Sequence, residues 1–269
     1  MLFVANLQNA TMIQPSTSEI EFTVLGSGTC ALQPQRSMSG YAVRHQGFFC
    51  LLDCGHGALR RCLEAGLQPF DIDAVLVSHF HLDHIADILS LLWALKHAPD
   101  LNRTKPLTFI GPPGLLHLFQ GLPALYGSWL EHFPFTISIE EVRQQGFAIG
   151  PWQVETLPMR HGASANGYRL QSNGRVIAYS GDTGECAEVV ELGRRADLFV
   201  LECSFVEDSG AENHLHAALA ARLASRAECK KLLLTHFYPE CDRHDVRSLC
   251  ENEFPGTVEL ARDLMRLIL

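Results

Sequence analysis

Long apolar runs are missing from this chain. Its most hydrophobic candidate, Ile85 to Leu95, is short and broken by Asp87 and Ser90, well under the roughly 20 apolar residues a helix needs to span a bilayer. That absence predicts a soluble protein with no membrane partner. Cys-x-x-Cys pairs are missing too. Nine cysteines, an odd total, are scattered along the chain, which argues against a disulfide framework or a thiolate zinc site and fits a reducing cytoplasm. Positive charge is scarce: 21 Lys+Arg stand against 30 Asp+Glu, a formal net charge of -9. Such a chain has no general field for drawing in a polyanion. Lys230-Lys231 and Arg194-Arg195 are isolated pairs that read as solvated faces. Pro/Ser-rich linkers, charge blocks, low-complexity tracts and short-period repeats are absent as well, so the simplest organisation is one domain over residues 19–269. Residues 1–18 begin Met1-Leu2-Phe3-Val4-Ala5 and turn polar, without a basic start or a small-residue cleavage site. They read as a poorly ordered tail or a short extra strand rather than a secretion signal.

What is present is ordinary globular composition, 269 residues with 47% hydrophobic and 19% charged, enough for a sizeable core. Periodicity predicts strands at Ile20 to Leu25, Gly40 to Gln46, Phe48 to Asp53, 74 to 78 and Leu107 to Ile110. Further strands are expected near 135 to 139, 152 to 157, 166 to 171, 175 to 180, Leu198 to Glu202 and 232 to 235. Helices are expected at Ala58 to Ala65, 85 to 97, from Pro113, at Cys186 to Gly193 and at His214 to Ser225. Alternation of this kind packs as mixed sheets with helices outside, an α/β protein. The aromatics Phe119, Tyr126, Trp129, Phe133 and Phe135 either border a cleft or fill the core beneath a long connection.

The densest chemical signal is His79-Phe80-His81-Leu82-Asp83-His84, directly after the apolar strand Asp73-Ala74-Val75-Leu76-Val77-Ser78. Side chains two apart on an extended segment share a side, so His79 and His81 can grip one ion. If the chain turns into a helix at Leu82, Asp83 and His84 can face a second position. Packed together without a cation, these groups would cost stability. Imidazole and carboxylate donors without thiolate suit zinc, with manganese or iron as harder alternatives. More donors are needed, and three later strands end in suitable residues: Arg160-His161-Gly162, Gly181-Asp182-Thr183-Gly184 and Thr235-His236. The glycines around Asp182 allow a tight turn that aims it inward.

Taken in order, Leu25-Gly26-Ser27-Gly28-Thr29, Leu52-Asp53-Cys54-Gly55, the His79 to His84 run, His161, Ser180-Gly181-Asp182-Thr183 and Leu234-Thr235-His236-Phe237 resemble the metallo-β-lactamase superfamily. Within it the chain is most similar to the ribonuclease Z-like branch. The resemblance implies an αββα sandwich, two mixed sheets with helices on the outer faces, holding a dinuclear zinc centre at one edge. It implies His79, His81 and His161 on the first metal, Asp83, His84 and His236 on the second, and Asp182 bridging both. Asp53 would hold a ligand in place; a strand-end turn residue is the plainer alternative.

Two neighbouring metals can bind a water between them, lower its pKa and deliver hydroxide to a phosphorus or carbonyl centre, which makes hydrolysis the default chemistry. Asp83 is assigned to orient that hydroxide as well as to ligate. Leu201-Glu202-Cys203-Ser204 and Asn213-His214-Leu215-His216 resemble the Glu and His pair of ribonuclease Z-like enzymes. There the histidine protonates a leaving 3′ oxygen and the glutamate keeps it charged and positioned. Register favours His214 over His216 as the donor, and helix capping is the plain reading of His214.

Only about twenty residues separate His161 from Asp182, so the long RNA-holding arm of the transfer-RNA-maturing enzymes is absent. Gly55-His56-Gly57-Ala58-Leu59 stands where that family has Gly-Glu-Gly-Thr-Gln, and Tyr238-Pro239-Glu240-Cys241 where it has Ser-x-Arg-Tyr. Of the cysteine-rich zinc knuckle some arm-less relatives carry near the N-terminus, only Cys30 has a counterpart. The expectation is a cytoplasmic dinuclear phosphodiesterase acting on small or cyclic phosphodiesters. The alternatives are a ribonuclease Z acting on a transfer-RNA 3′ end, a lactone, thioester or β-lactam hydrolase, and a metal-holding sensor without catalysis. Resemblance also implies a homodimer.

Overall fold

The computed structural model describes residues 19–99, 103–130, 132–208 and 210–269; the tail expected over residues 1–18 lies outside them. Apolar alternation builds two seven-stranded sheets packed face to face. The first holds β1 (Ile20–Gly26), β2 (Gly40–His45), β3 (Phe48–Cys54), β4 (Ala74–Leu76), β5 (Leu107–Gly111) and β6 (Ile137–Glu141). The second holds β7 (Gly146–Ile149), β8 (Trp152–Pro158), β9 (Asn166–Ser172), β10 (Arg175–Tyr179), β11 (Leu198–Glu202), β12 (Lys231–Thr235) and β13 (Thr257–Leu260). A final strand, β14 (Arg266–Ile268), returns to pair with β1. Helices α1 (Ala58–Glu64), α2 (Leu82–His97) and α3 (Leu115–Tyr126) lie on the first sheet. Helices α4 (Ala187–Gly193), α5 (Ala217–Arg226) and α6 (Val246–Glu251) lie on the second. This is the αββα sandwich.

Both sheets follow one plan. In the first, β14 through β3 pair antiparallel and β3 through β6 parallel. In the second, β7 through β10 pair antiparallel and β10 through β13 parallel. The internal likeness leaves no sequence repeat because an inner face demands apolar residues, not particular ones. Cys50 and Leu52 of β3 point into the inter-sheet core, while Phe49 and Leu51 point under the helices, the period of two that a strand covered on both faces requires. Trp152, Tyr41, Tyr168 and Tyr179 fill the space between the sheets. Each fully buried Leu or Phe contributes about 1.5–3 kcal/mol, which lets the sandwich hold strained loops at its edge.

Helix α2 begins at Leu82, as the metal-site argument requires and three residues before the periodic stretch. Ile88, Leu91, Leu92 and Leu95 form its buried stripe at helical spacing, and Asp83 in its first turn complements the helix dipole. Among the described residues no helix is long and apolar enough to cross a membrane. Strand β6 lies about two residues past its expected place, and the expected strand over 74 to 78 stops its ladder at Leu76. Elements β7, α6, β13 and β14 were not expected. The helix predicted from His214 starts instead at Ala217. Leu215 donates its amide to the Glu202 carboxylate, which pulls this segment out of a helical path. Of the five connection aromatics, Phe135 is buried and Phe119 packs on Phe109, whereas Trp129 is exposed and stacks on Trp93. That region lies in the helical layer of α2 and α3.

A buried carboxylate ties the C-terminal segment to the loop after β1. Asp263 accepts from the Ser27 amide at 3.1 Å, the Ser27 hydroxyl at 2.8 Å, the Ser37 amide at 2.6 Å and Arg61 Nε at 3.1 Å. Replacing it orphans two backbone donors and takes one carboxylate from the Arg61 guanidinium, which keeps Glu64 and the Ser37 hydroxyl. Asp263→Ala should cost about 3 kcal/mol in urea unfolding; a loss within ±0.5 kcal/mol, the size of an ordinary surface substitution, would contradict that role.

Candidate metal centre

Strands β4, β8, β10, β11 and β12 all deliver their C-terminal ends to one edge of the sandwich, where open α/β sheets bind ligands. His79 and His81 follow β4, Asp83 and His84 open α2, His161 follows β8, Asp182 follows β10 and His236 follows β12. The backbone is built to bring them close. Gly181 has a φ of 59° and leaves no room for a side chain against Ser78, whose Cβ would lie 2.6 Å from an added methyl. Asp53 and His236 hold left-handed φ values of 57° and 59°, a conformation that costs non-glycine residues energy and recurs at functional sites. At Gly55 an added Cβ would sit 2.0 Å from the Asp83 carbonyl, so the loop after Asp53 lies directly on the first turn of α2.

The structure brings all seven expected ligand residues together, in two groups. His81 Nδ1 lies 3.0 Å from His79 Nε2 and 3.1 Å from His161 Nε2. Asp182 Oδ2 stands 3.7 Å and 3.8 Å from those two Nε2 atoms. In the second group His84 Nε2 and His236 Nε2 are 3.3 Å apart, and each is 3.3 Å from Asp182 Oδ1. Asp83 Oδ2 lies 3.5 Å from His236 Nε2 and 3.9 Å from His84 Nε2. Asp182 thus gives one oxygen to each group. A tetrahedral ion with bonds of about 2.1 Å sets its donors about 3.4 Å apart, and the spacings bracket that edge.

The buried Asp182 Oδ1 has no hydrogen-bond partner, an expensive state for a carboxylate oxygen. Imidazole nitrogens facing one another at 3.0–3.3 Å need a proton or a metal ion between them. The donor set therefore fits a cation.

Four of the five ligand histidines have their other nitrogen fixed from behind, as metal-bound imidazoles require. His84 Nδ1 donates to Asp53 Oδ2 at 2.7 Å, and His161 Nδ1 to the Asn213 carbonyl at 3.0 Å. Ser78 Oγ donates to Asp53 and accepts from His79 Nδ1 at 3.0 Å. Ser204 Oγ donates to Glu202 and accepts from His236 Nδ1 at 3.0 Å. Asp53 also accepts from the Ser78 amide and the Tyr179 hydroxyl, so it is a bracing residue rather than a turn filler. Sequence reasoning gave no role to Ser78, Ser204 or Tyr179. A hydroxyl beside a ligand histidine at the end of an apolar strand was the available signal for Ser78; Ser204 and Tyr179 had none.

Electrostatics follows the same layout. Burial, reinforced by the charge of His84, holds the His79 imidazole well below its ordinary pKa. Burial also lowers His161. Burial alone would raise Asp182, but the His236 and His84 imidazoles outweigh it and hold the carboxyl well below the usual range. At His84 burial opposes charge, and Asp182 with Asp53 wins, raising it. A cation entering this site must take the place of the His84 proton, so its affinity falls with falling pH.

Beside this cluster Glu202 and His214 form a pair. His214 Nδ1 donates to Glu202 Oε1 at 2.8 Å, leaving Nε2 unengaged by Glu202. Glu202 is buried and also accepts from the Thr183 amide at 2.9 Å and the Leu215 amide at 3.1 Å. The His214 ring stacks on His236 at 5.9 Å, and donor atoms of Asp182, His214 and His236 lie within 4.8 Å of one another. His214 is thus held by a carboxylate and does not cap the helix; His216 occupies the position before α5.

Comparisons agree with the geometry. Residues 50–237 match a family model described as a β-lactamase superfamily domain. The chain is 30% identical over 280 residues to a ribonuclease Z of Mycobacterium marinum (strain ATCC BAA-535 / M), covering 92% of this chain and 98% of that protein. Among solved structures it resembles the metallo-β-lactamase fold protein YhfI from Bacillus subtilis, with a TM-score of 0.81 and 25% identity over 94% of this chain and 100% of that one. It also resembles the short form of human tRNase Z, with a TM-score of 0.75 and 22% identity over 92% and 98% of the two chains.

Proposed function

This chain belongs to the β-lactamase superfamily, in its ribonuclease Z-like branch, and is a metal-dependent hydrolase; we propose that it is a dinuclear zinc phosphodiesterase acting on small or cyclic phosphodiesters. One observation carries the choice of phosphodiesters over lactones, thioesters or β-lactams: the Glu202–His214 pair aimed at the metal cluster. A sugar or alkyl oxygen leaving phosphorus needs a proton, and a carboxylate-held imidazole supplies one. When bound, two divalent cations supply an activated water and neutralise charge on the attacked group. His79, His81, His161 and Asp182 would hold the first, and Asp83, His84, His236 and Asp182 the second. The chain's own residues do the rest. Asp83 orients the nucleophile beside its ligand atom, and Glu202 fixes the His214 ring so that its other nitrogen meets the leaving oxygen.

Small substrates fit better than folded RNA for two reasons. The segment between His161 and Asp182 is a plain hairpin of β9 and β10, with no room for an arm. The net charge of -9 gives no field for a polyanion. The ribonuclease Z reading keeps support from the 30% relative. Turnover of 2′,3′-cyclic nucleotides, a bis-aryl phosphate, precursor transfer RNA, a lactone and nitrocefin by the zinc-loaded protein decides among them. Cleavage of a carboxyl substrate with no diester turned over would sink the proposal.

A pH profile tests the pair. Burial would lower the His214 pKa, but the hydrogen bond and charge of Glu202 outweigh it and raise it. As the acid, His214 works below its pKa and fails as pH climbs through it. Removing the Glu202 charge lowers that pKa, so in Glu202→Gln the alkaline limb of kcat should move to lower pH. A limb left in place would contradict the assignment.

A further inference from the structure

Strands β11 and β12 are parallel neighbours in matched register, with Glu202 opposite Thr235. Residues an equal distance beyond each pair therefore emerge side by side. Three past Glu202 is Phe205, and three past Thr235 is Tyr238. Their rings lie almost parallel, 5° apart, with centroids at 5.5 Å, an offset stack. Phe205 meets the His214 ring edge to face at 6.0 Å, and Tyr238 meets His236 in the same way at 6.5 Å. The ledge thus abuts both the proton donor and a metal ligand.

Its backbone is fixed. Phe205 donates its amide to Leu215 and accepts from the Ala217 amide, and the Tyr238 carbonyl accepts from the Cys241 amide. Both rings are half-buried rather than sealed in the core. Cationic recognition is weak here. Glu240 follows in the chain, and the nearby Arg36 is spent on Asp242, Ser27 and the Ala261 carbonyl. Beside the His214 imidazole, a docking group therefore meets two aromatic rings and no free Arg36 guanidinium.

We propose that Phe205 and Tyr238 form a stacking platform for a planar ring on the leaving-group side of the substrate, so that this site selects aryl or nucleoside phosphodiesters over alkyl ones. The inference rests on the phosphodiesterase reading for its placement on the leaving-group side. Stacking of a base on an aromatic side chain is sequence-tolerant, which suits a platform that reads flatness and not hydrogen-bonding pattern.

The test is equilibrium binding to the zinc-loaded chain, read by titration calorimetry, with adenosine 3′-monophosphate and phenyl phosphate against methyl phosphate. All three carry a phosphate monoester, and only the first two carry a ring. Wild type should bind the ring-bearing ligands about 10-fold or more tightly than methyl phosphate. Tyr238→Leu should erase that preference while leaving methyl phosphate affinity in place, and Tyr238→Phe should keep it. Phe205→Leu should reduce it, with zinc content checked to confirm folding. Equal affinity for ring and methyl ligands in wild type, or a preference that survives in Tyr238→Leu, overturns the platform. A chain that prefers ring-bearing ligands yet hydrolyses no diester keeps the platform and defeats the phosphodiesterase reading.

Discussion

Asp182→Ala should abolish hydrolysis, lowering kcat/KM by well over the 10–100-fold that loss of an outer partner of a metal ligand costs. Its two oxygens serve different donor groups, Oδ2 facing His79 and His161 and Oδ1 facing His84 and His236. One truncation therefore opens both sites at once. It also removes the carboxylate that stands 3.3 Å from both the His84 and the His236 Nε2. Asp53→Asn is the natural comparison, because Asp53 braces His84 from behind at 2.7 Å and faces no cation. Its loss should fall within about 10–100-fold. Parallel losses in the two variants would mean that Asp182 is no more than another brace.

His214→Ala should separate substrates by their leaving groups. A diester expelling an alkoxide or sugar oxygen needs the proton, and its kcat should drop by about 10²–10⁴-fold, the usual size of general acid catalysis. A p-nitrophenolate leaves without help, so a bis-aryl diester should be turned over nearly as fast as by wild type. Zinc content should stay unchanged, because the His79, His81, His161 and Asp182 group and the Asp83, His84 and His236 group are complete without His214. Equal loss on both substrates, or loss of zinc, would make His214 a ligand or a prop and not a proton donor.

Much of this site is legible in the sequence because each ligand sits where an apolar strand stops. The run from His79 to His84 follows β4, and His161, Asp182 and His236 follow β8, β10 and β12. A buried strand announces itself by its apolar residues, and a polar residue at its end is then conspicuous. Edge elements carry no such signal. Strand β7 alternates between exposed and half-buried residues, and β13 and β14 are short pieces defined by pairing with β12 and β1. Their structure comes from tertiary partners rather than local pattern. The start of α5 was misread for a related reason: the Glu202 carboxylate binds both the His214 ring and the Leu215 amide, and no local pattern announces a contact with a residue a dozen positions away. The bracing hydroxyl of Ser204 is likewise visible only once the fold has set it behind His236.

Titration of the metal-free chain with zinc, followed by native mass spectrometry, addresses the shared-carboxylate arrangement most directly. Two ions per wild-type chain are expected, with Asp182→Ala unable to retain the pair. A wild-type chain that saturates at a single ion, or an Asp182→Ala chain that still holds two, would contradict it.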